Sequence, residues 1–255
     1  MIRFSANIST LFLERPELER PQAARDAGFT AVEIQFPYDH PAEAWKAALD
    51  AAGVELVLIN LPVGDMLSGG PGVASVPGRE AMFADALARA VDYARVLQPL
   101  KVNVLAGWPG AAFEREACLA TLASNLHLTA ETMSRLGIGV VVEAVNTVDR
   151  PGYLISTTAQ AIDVIDRAGH KNLGIQYDLY HMQIMEGDLI RTLQRFHDRI
   201  GHIQFADNPG RNEPGTGEIH FANVFAALAK LPYAGYVGAE YTPLRRTEDT
   251  LGWMV

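Results

Sequence analysis

Four polar side chains stand near the carboxyl ends of successive apolar runs in the second half of the chain. These residues are Glu143, Asp178, Gln204 and Glu240. Burying a charged side chain without a partner costs several kcal/mol, so an acid inside an apolar run needs a physical reason. Taken singly, each one is compatible with a salt bridge at a strand end. Four at equivalent positions favour a common site.

A divalent metal ion would explain this pattern. If the runs are adjacent strands about 4.8 Å apart, the four side chains converge, and their three carboxylates repel unless a cation neutralises them. The set offers oxygen ligands only, which suit Mg2+ or Mn2+, whereas zinc sites usually recruit imidazole or thiolate. Glu33 is a similar acid within an apolar run. We expect it to support the barrel or the site without binding the ion.

The elements that would position these residues follow a repeated pattern of amphipathic helix, glycine and apolar run. Gly28, Gly53, Gly137 and Gly169 each stand at such a junction, where glycine allows the left-handed conformation that ends a helix. The apolar runs are continuous, as in parallel strands covered on both faces. We predict strands near 2–9, 31–37, 55–62, 101–107, 138–146, 173–179, 200–206 and 236–242.

Eight parallel strands predict an α/β fold, a (β/α)8 TIM barrel, formed as one domain over residues 1–255. We place helices near 16–27, 41–52, 79–97, 113–136, 157–168, 186–197 and 221–230. A doubly wound sheet is the alternative, but no Gly-x-Gly-x-x-Gly turn follows the first strand. The tail after Thr242 is too short for a well-formed eighth helix.

Two long connections from strand to helix, 62–79 and 207–219, are candidates for the active-site loops. In TIM barrels the active site is built from such loops, and long loops in a compact domain are usually functional. A tolerated surface insertion is the alternative reading, more so for the first loop than for the second, which is dense in polar residues.

Composition narrows the function. The net charge of −9 argues against a nucleic-acid partner, which would need a dense basic face. No apolar run approaches the ~20 residues that cross a bilayer, so we expect no membrane partner and a cytoplasmic location. The single cysteine, Cys118, is expected to be a buried helix residue. Exposed helix faces such as 81–96 would allow a homo-oligomer.

Several motifs make the chain resemble the hydroxypyruvate isomerase family, which lies within the xylose isomerase-like TIM barrel superfamily. The resemblance runs from 3–7 through 36–38, 60–62 and 77–80 to 252–253, and it is strongest in 174–183, 201–211 and 213–219. The Asp178-x-x-His181 motif and the Glu-Pro-Gly-x-Gly-Glu-Ile motif of 213–219 are specific as a set, although each is modest alone.

The resemblance implies roles for particular residues. Glu143 and Glu240 match the two acid/base glutamates, which also contact the metal, and Asp178 and Gln204 match the remaining metal ligands. His181 and Arg211 match positions that face substrate oxygens in related sugar epimerases. The chain has Thr242 where this family usually has lysine after Glu-Tyr. If that lysine holds the substrate carboxylate, another cation, Arg211 or Lys101, must replace it here.

The resemblance therefore predicts an isomerase that interconverts hydroxypyruvate and 2-hydroxy-3-oxopropanoate (tartronate semialdehyde) through a metal-stabilised enediolate. The alternatives are an isomerase or epimerase of this barrel class acting on 2-oxo-tetronate or a free ketose, and a non-catalytic binding barrel. Apurinic endonucleases share the barrel, but their phosphodiesterase chemistry needs a histidine-rich multi-zinc site and a basic groove. We expect His202 and His220 to be structural, and Trp108 to wall the pocket.

Overall fold

The computed structural model describes residues 2–254, and eight strands in it close into a barrel in chain order. Adjacent strands are all parallel, and β1 returns to β8 with Arg3 opposite Tyr236. The predicted (β/α)8 barrel is confirmed. The strands are β1 Arg3–Asn7, β2 Ala31–Ile34, β3 Glu55–Asn60, β4 Lys101–Val104, β5 Gly139–Glu143, β6 Leu173–Asp178, β7 Ile200–Phe205 and β8 Tyr236–Ala239.

The strands end earlier than the sequence predicts. β4 ends at Val104 and β5 at Glu143, although the apolar runs continue for about three residues beyond them. Those later residues are buried all the same: Ala106 is fully buried and Ala144 nearly so. The loops above the barrel cover these residues, so hydrophobicity continues past the point where strand pairing stops.

Helices connect the strands on the outside of the barrel. They are α1 Arg20–Asp26, α2 Ala42–Ala52, α3 Glu80–Leu97, α4 Arg115–Ser134, α5 Thr158–Ala168, α6 Leu179–Met185, α7 Leu189–Phe196 and α8 Phe221–Leu228. Gly53 and Gly169 have φ of 62° and 64°, as expected for helix ends. Cys118 is buried in α4. No helix within residues 2–254 is both long and apolar enough to cross a membrane.

One predicted helix differs from the structure. The region predicted at 186–197 begins as helix only at Leu189, and the short helix α6 precedes it. Helix α6 starts directly at the end of β6, where the Asp178 Oδ1 accepts a hydrogen bond from the Tyr180 backbone nitrogen at 2.9 Å. A strand that passes into a helix without a linker gives no turn residue in the sequence, so the pattern did not reveal it.

The chain after β8 closes the barrel without an α-helix in the described residues, as predicted. A 3-10 helix spans Thr247–Thr250, and Trp253 then packs against aromatic side chains of β1, β7 and α8. Its ring centroid lies 5.1 Å from that of Phe4 and 4.9 Å from that of Phe205. This aromatic packing covers the barrel where a helix after β8 would otherwise lie.

The inside of the barrel is apolar near the amino ends of the strands and polar above. The lower cluster consists of Ala31, Val57, Leu58, Val141 and Tyr236. Lys101 is the first residue of β4, and its ammonium group lies against Gly139, the first residue of β5. The expectation that Lys101 replaces the missing lysine at the substrate is therefore wrong, because it lies at the opposite end of the barrel.

Candidate active site

A cavity of about 450 Å³ opens at the carboxyl ends of the strands. Five residues that the sequence analysis named line this cavity: Glu143, His181, Arg211, Glu240 and Trp108. The other lining residues are Gln35, Phe36, Asn60, Met66, Leu67, Leu105, Val145, Asp149, Arg150, Tyr153 and Gln176. A larger groove of about 710 Å³ lies elsewhere, beside α1 and α2, and holds none of the predicted site residues. The predicted site residues therefore point to the cavity of about 450 Å³ as the candidate active site.

Glu143, which lines the cavity, and the fully buried Asp178 beside it form an acidic centre. Both side chains are buried, and one ligand atom from each lies within 4.8 Å of the other and of a His181 nitrogen. Burial raises the pKa of Glu143 well above its usual value, and the carboxylates of Glu240 and Asp178 raise it further. Burial also raises the pKa of Asp178. The Asp178 Oδ2 is buried without a hydrogen-bond partner.

Glu240 directly follows β8 and faces the same cavity. Its Oε2 accepts hydrogen bonds from the Asn7 amide at 2.8 Å and the Gln204 amide at 2.7 Å. Its Oε1 accepts one from the guanidinium of Arg211, whose nearest nitrogen is also 3.5 Å from the Asp178 Oδ2. Burial raises the pKa of Glu240 to about 7, although Arg211 opposes the increase. A positive group already lies between two of the three carboxylates.

Gln204 lies directly beneath Glu240 and connects it to Glu33. Its amide nitrogen donates to the Glu33 Oε2 at 2.7 Å as well as to Glu240, while its oxygen accepts from the Gln176 amide at 2.6 Å. Glu33 is fully buried and also accepts hydrogen bonds from the Ser5 hydroxyl at 2.6 Å and the His202 Nε2 at 2.9 Å. This arrangement agrees with the supporting role expected for Glu33 and the structural role of His202.

The backbone makes room for Glu33 at Gly238 in β8. A Cβ atom built on Gly238 would lie 2.0 Å from the Glu33 Oε1. Since no real Cβ approaches an oxygen so closely, any larger residue would displace the carboxylate or the strand. Glycine is therefore required at position 238, because the Glu33 carboxylate occupies the space that a larger side chain would need.

His181 is held in the cavity wall by the loop that follows β5. Its Nδ1 accepts a hydrogen bond from the Asn146 side-chain amide at 2.7 Å, so its proton is assigned to Nε2. That Nε2 lies 3.6 Å from the Asp178 Oδ2 and 3.7 Å from the Glu143 Oε1. Burial, and then the charge of Arg211, hold the pKa of His181 well below its usual value. The ring is thus a neutral donor that points into the acidic centre.

The loop 207–219 is shaped around a single carboxylate. Buried Asp207 accepts four backbone hydrogen bonds, from Asn208, Gly215, Gly217 and Ile219, at 2.8–3.0 Å. This loop presents Arg211, which adopts a left-handed φ of 56°, and the Arg211 oxygen accepts a hydrogen bond from the Thr242 nitrogen at 2.8 Å. The motif in 213–219 thus positions a cation over the floor of the cavity.

The loop after β3 covers the cavity from the other side. Met66 and Leu67 line the cavity, and the Leu67 side chain is 71% exposed. The loop is fixed at its base by an ion pair between Arg79 and Asp65 at 2.9 Å. It meets the loop after β4 where the Trp108 nitrogen donates to the Pro71 oxygen at 3.3 Å. Both long connections predicted from the sequence therefore reach the site, and Trp108 does wall it.

Sequence reasoning missed the amides of the cavity floor. Asn7 binds Glu240, and Asn103 donates to the Asn60 Oδ1 at 3.1 Å and to the Glu143 Oε2 at 3.4 Å. Each amide stands near the carboxyl end of an apolar run, as the four predicted residues do. That shared position was the available signal, and it was applied only to the later strands.

The buried oxygens of this centre have the properties of a cation site. Three carboxylates are brought together, one of them has an unpartnered buried oxygen, and all three have raised pKa values because the charged forms lack compensation. Glu143 and Asp178 offer carboxylate oxygens to a metal ion within one buried group, which also includes His181.

The family is established by comparison. A sequence model of the family described as xylose isomerase-like TIM barrel matches residues 21–255. The closed parallel barrel and the site at its carboxyl end agree with this match, which assigns the chain to one family within the general (β/α)8 class. The chain belongs to the xylose isomerase-like TIM barrel family.

Full-length relatives refine the comparison. A hydroxypyruvate isomerase of Escherichia coli (strain K12) is 46% identical over 254 residues, covering 100% of this chain and 98% of the relative. A 2-oxo-tetronate isomerase of Cupriavidus necator is 40% identical over 254 residues, with the same coverage. The resemblance to hydroxypyruvate isomerases expected from the sequence is confirmed.

A solved structure has nearly the same fold along its whole length. The crystal structure described as AP endonuclease, family 2, from Brucella melitensis superposes with a TM-score of 0.96 at 38% identity, covering 100% of this chain and 98% of that chain. That description names an activity of the other protein. The chemistry of the present chain has to be argued from its own cavity.

Proposed function

We propose that this protein interconverts hydroxypyruvate and 2-hydroxy-3-oxopropanoate, with Glu143 and Glu240 as the two acid/base groups. The observation that carries the proposal is the placement of these two buried glutamates, from β5 and the end of β8, on one small cavity. The 46% identity to a hydroxypyruvate isomerase over the whole chain supports the choice of substrate.

The proposal includes a divalent metal ion, Mg2+ or Mn2+. Glu143, Asp178 and Glu240 would hold it through carboxylate oxygens. Gln204 would join them through its amide oxygen once that oxygen no longer accepts the hydrogen bond from Gln176. When bound, such an ion stabilises negative charge that develops on the carbonyl and hydroxyl oxygens of a substrate. The unpartnered oxygen of Asp178 supports this assignment.

The reaction moves one hydrogen between neighbouring carbons. One glutamate removes a proton from C3 of hydroxypyruvate, and the electron pair of that C–H bond forms the enediolate double bond. The other glutamate donates a proton to C2, and the hydroxyl proton passes from the C3 oxygen to the C2 oxygen. The glutamate that removes the proton begins as a carboxylate, and the other begins as an acid. Burial raises the pKa of both side chains, so each carboxylate is a stronger base than an exposed glutamate.

His181 and Arg211 would act on the substrate oxygens. The Nε2 proton of His181 points toward the acidic centre, where it can donate to an oxygen that becomes negative during the reaction. A neutral imidazole suits this task because it donates a hydrogen bond without the additional acidic proton of an imidazolium, which the adjacent carboxylates would remove. Arg211 lies beside Glu240 and would bind an oxygen on that side of the cavity.

The experiment is a metal-depletion assay. The purified protein is stripped with a chelator, supplied with Mg2+ or Mn2+, and followed by NMR in D2O with hydroxypyruvate as substrate. We expect metal-dependent formation of 2-hydroxy-3-oxopropanoate with deuterium at C2. Absence of any product with either ion would contradict the proposed substrate.

A second candidate substrate is 2-oxo-tetronate, a longer acid of the same kind. The relative from Cupriavidus necator named for this activity is 40% identical over the whole chain, and a cavity of about 450 Å³ has room for the additional carbon. Steady-state kcat/KM for the two acids, measured on one preparation, distinguishes them. A higher value for 2-oxo-tetronate would move the assignment to that reaction.

Phosphodiester cleavage is not favoured by the described residues. Within 2–254, the candidate metal group contains one histidine and two carboxylates, whereas a multi-zinc hydrolase needs several nitrogen ligands. Incubation of the protein with DNA that carries an abasic site, in the presence of Zn2+, tests this directly. We expect no cleavage.

A further inference from the structure

A cation that binds the substrate carboxylate is the missing element of the site. Both candidate substrates are 2-oxo acids, and a carboxylate that leaves water needs a charged hydrogen-bond donor in its place. Lys101 lies at the far end of the barrel, and Thr242 carries no charge. Two basic side chains, Arg150 and Arg211, line the cavity.

Arg211 is already engaged. Its guanidinium donates to Glu240 and lies 3.5 Å from the Asp178 Oδ2, so two buried carboxylates share its charge. Arg150 differs, since within residues 2–254 its side chain has no hydrogen bond and no ion pair with any described group. It is exposed at the mouth of the cavity.

The loop that carries Arg150 is fixed relative to the catalytic floor. The Asn146 Oδ1 accepts hydrogen bonds from the backbone nitrogens of Val148 and Asp149 at 3.0 and 2.7 Å, and the Asn146 oxygen accepts one from the Arg150 nitrogen at 3.2 Å. The same Asn146 side chain holds His181. One residue therefore sets both the direction of the His181 proton and the position of Arg150.

The two arginines enter the cavity from different loops, and both act on the charge state of His181. Arg150 is in the loop that follows β5, the strand of Glu143, while Arg211 is bonded to Glu240 beyond β8. A three- or four-carbon acid whose reacting carbons lie between the two glutamates would extend its carboxylate toward one of the two basic side chains that line the cavity. The uncompensated guanidinium is that of Arg150.

We infer that Arg150 binds the substrate carboxylate and thereby selects 2-oxo acids over neutral sugars. This inference rests on the proposed function, and it names the group that recognises the acid. A guanidinium matches a carboxylate through two parallel hydrogen bonds. Because the exposed Arg150 side chain makes no hydrogen bond and no ion pair within residues 2–254, its replacement should leave folding intact.

The test compares Arg150→Gln and Arg150→Lys with Arg191→Gln as a matched control. Arg191 is an exposed arginine on α7, paired with Asp188 and outside the cavity. The KM and kcat for hydroxypyruvate are measured on metal-supplied enzyme. Dihydroxyacetone, in which a neutral hydroxymethyl group replaces the carboxylate, is measured as a competitive inhibitor.

We expect Arg150→Gln to raise KM for hydroxypyruvate about tenfold, the size of a lost hydrogen bond between charged groups, with kcat within about twofold. Arg150→Lys should fall between this variant and wild type, and Arg191→Gln should match wild type. The inhibition constant of dihydroxyacetone should not change. An unchanged KM, or an equal rise in KM and in that inhibition constant, would overturn the assignment of Arg150.

Failure of the proposed function gives a different result. If wild type does not convert hydroxypyruvate, the same variants are assayed with 2-oxo-tetronate, which keeps the carboxylate. A higher KM of Arg150→Gln for 2-oxo-tetronate would support the inference about Arg150, although hydroxypyruvate would be rejected as the substrate. A wild-type enzyme that converts neither acid overturns both proposals.

Discussion

The side-chain amide of Asn146 donates a hydrogen bond to the Nδ1 of His181 over 2.7 Å. A ring nitrogen that accepts a hydrogen bond carries no proton, so the proton of neutral His181 must be on Nε2, facing Glu143 and Asp178. The tautomer is thus decided by the loop that follows β5.

This relationship predicts the NMR signature of His181. Two-dimensional 1H–15N spectra of the metal-free protein should show a neutral ring with its proton on Nε2. Since burial lowers the pKa of His181 well below 6.5, the ring should remain neutral as the pH falls through the ordinary histidine range. A ring protonated on Nδ1, or one that titrates near 6.5, would contradict the assigned role as a neutral donor.

Replacement of Glu33 tests the buried network beneath the site. In Glu33→Gln, an amide nitrogen replaces one of two oxygens that together accept three hydrogen bonds, so a donor faces a donor at His202 or Gln204. We expect the free energy of unfolding to fall by about 1–3 kcal/mol. Urea denaturation measures it, with Glu43→Gln on the exposed face of α2 as control. Equal stability of the two variants would show that the network contributes little.

The substitution Asp178→Asn separates metal binding from folding. The asparagine oxygen can still accept the hydrogen bond that begins α6, but the charge and the unpartnered Oδ2 are lost. We expect the Mn2+ affinity, measured by calorimetry, to fall at least about tenfold.

The free energy of unfolding of the metal-free Asp178→Asn variant should be equal to that of wild type or higher. Burial raises the pKa of Asp178 because the charged form is poorly compensated, so a neutral side chain removes an unfavourable charge from the metal-free protein. Urea unfolding of metal-free Asp178→Asn should therefore occur at no lower denaturant concentration than in wild type. Unchanged Mn2+ affinity would remove Asp178 from the proposed ligand set.

The barrel could be predicted from the sequence because its signals are local. Glycine near the ends of four helices and continuous apolar runs are consequences of helix ends and of strands covered on both faces, and they do not depend on distant contacts. The ends of the strands could not be predicted as well. Residues such as Ala106 and Ala144 are as buried as the strands themselves, so hydrophobicity does not show where pairing stops.

The acidic centre was also predictable, since a buried carboxylate is costly wherever it occurs. Its wider environment was not. Lys101 was a wrong choice that the sequence could have excluded, because the first residue of the predicted strand 101–107 lies at the amino end of the barrel, away from the active-site loops. The sequence does not single out Arg150, because the hydrogen bonds of Asn146 that direct its loop toward the cavity depend on the folded chain.

The two-glutamate scheme can be tested by separating the two halves of the reaction. Hydroxypyruvate deuterated at C3 is incubated in H2O with metal-supplied Glu143→Gln and Glu240→Gln, and NMR follows loss of deuterium at C3 and formation of product. The scheme predicts that neither variant forms product at a significant rate. The variant that keeps the base for C3 still exchanges deuterium, whereas the other loses both processes. Near-wild-type isomerisation by either variant would contradict the account.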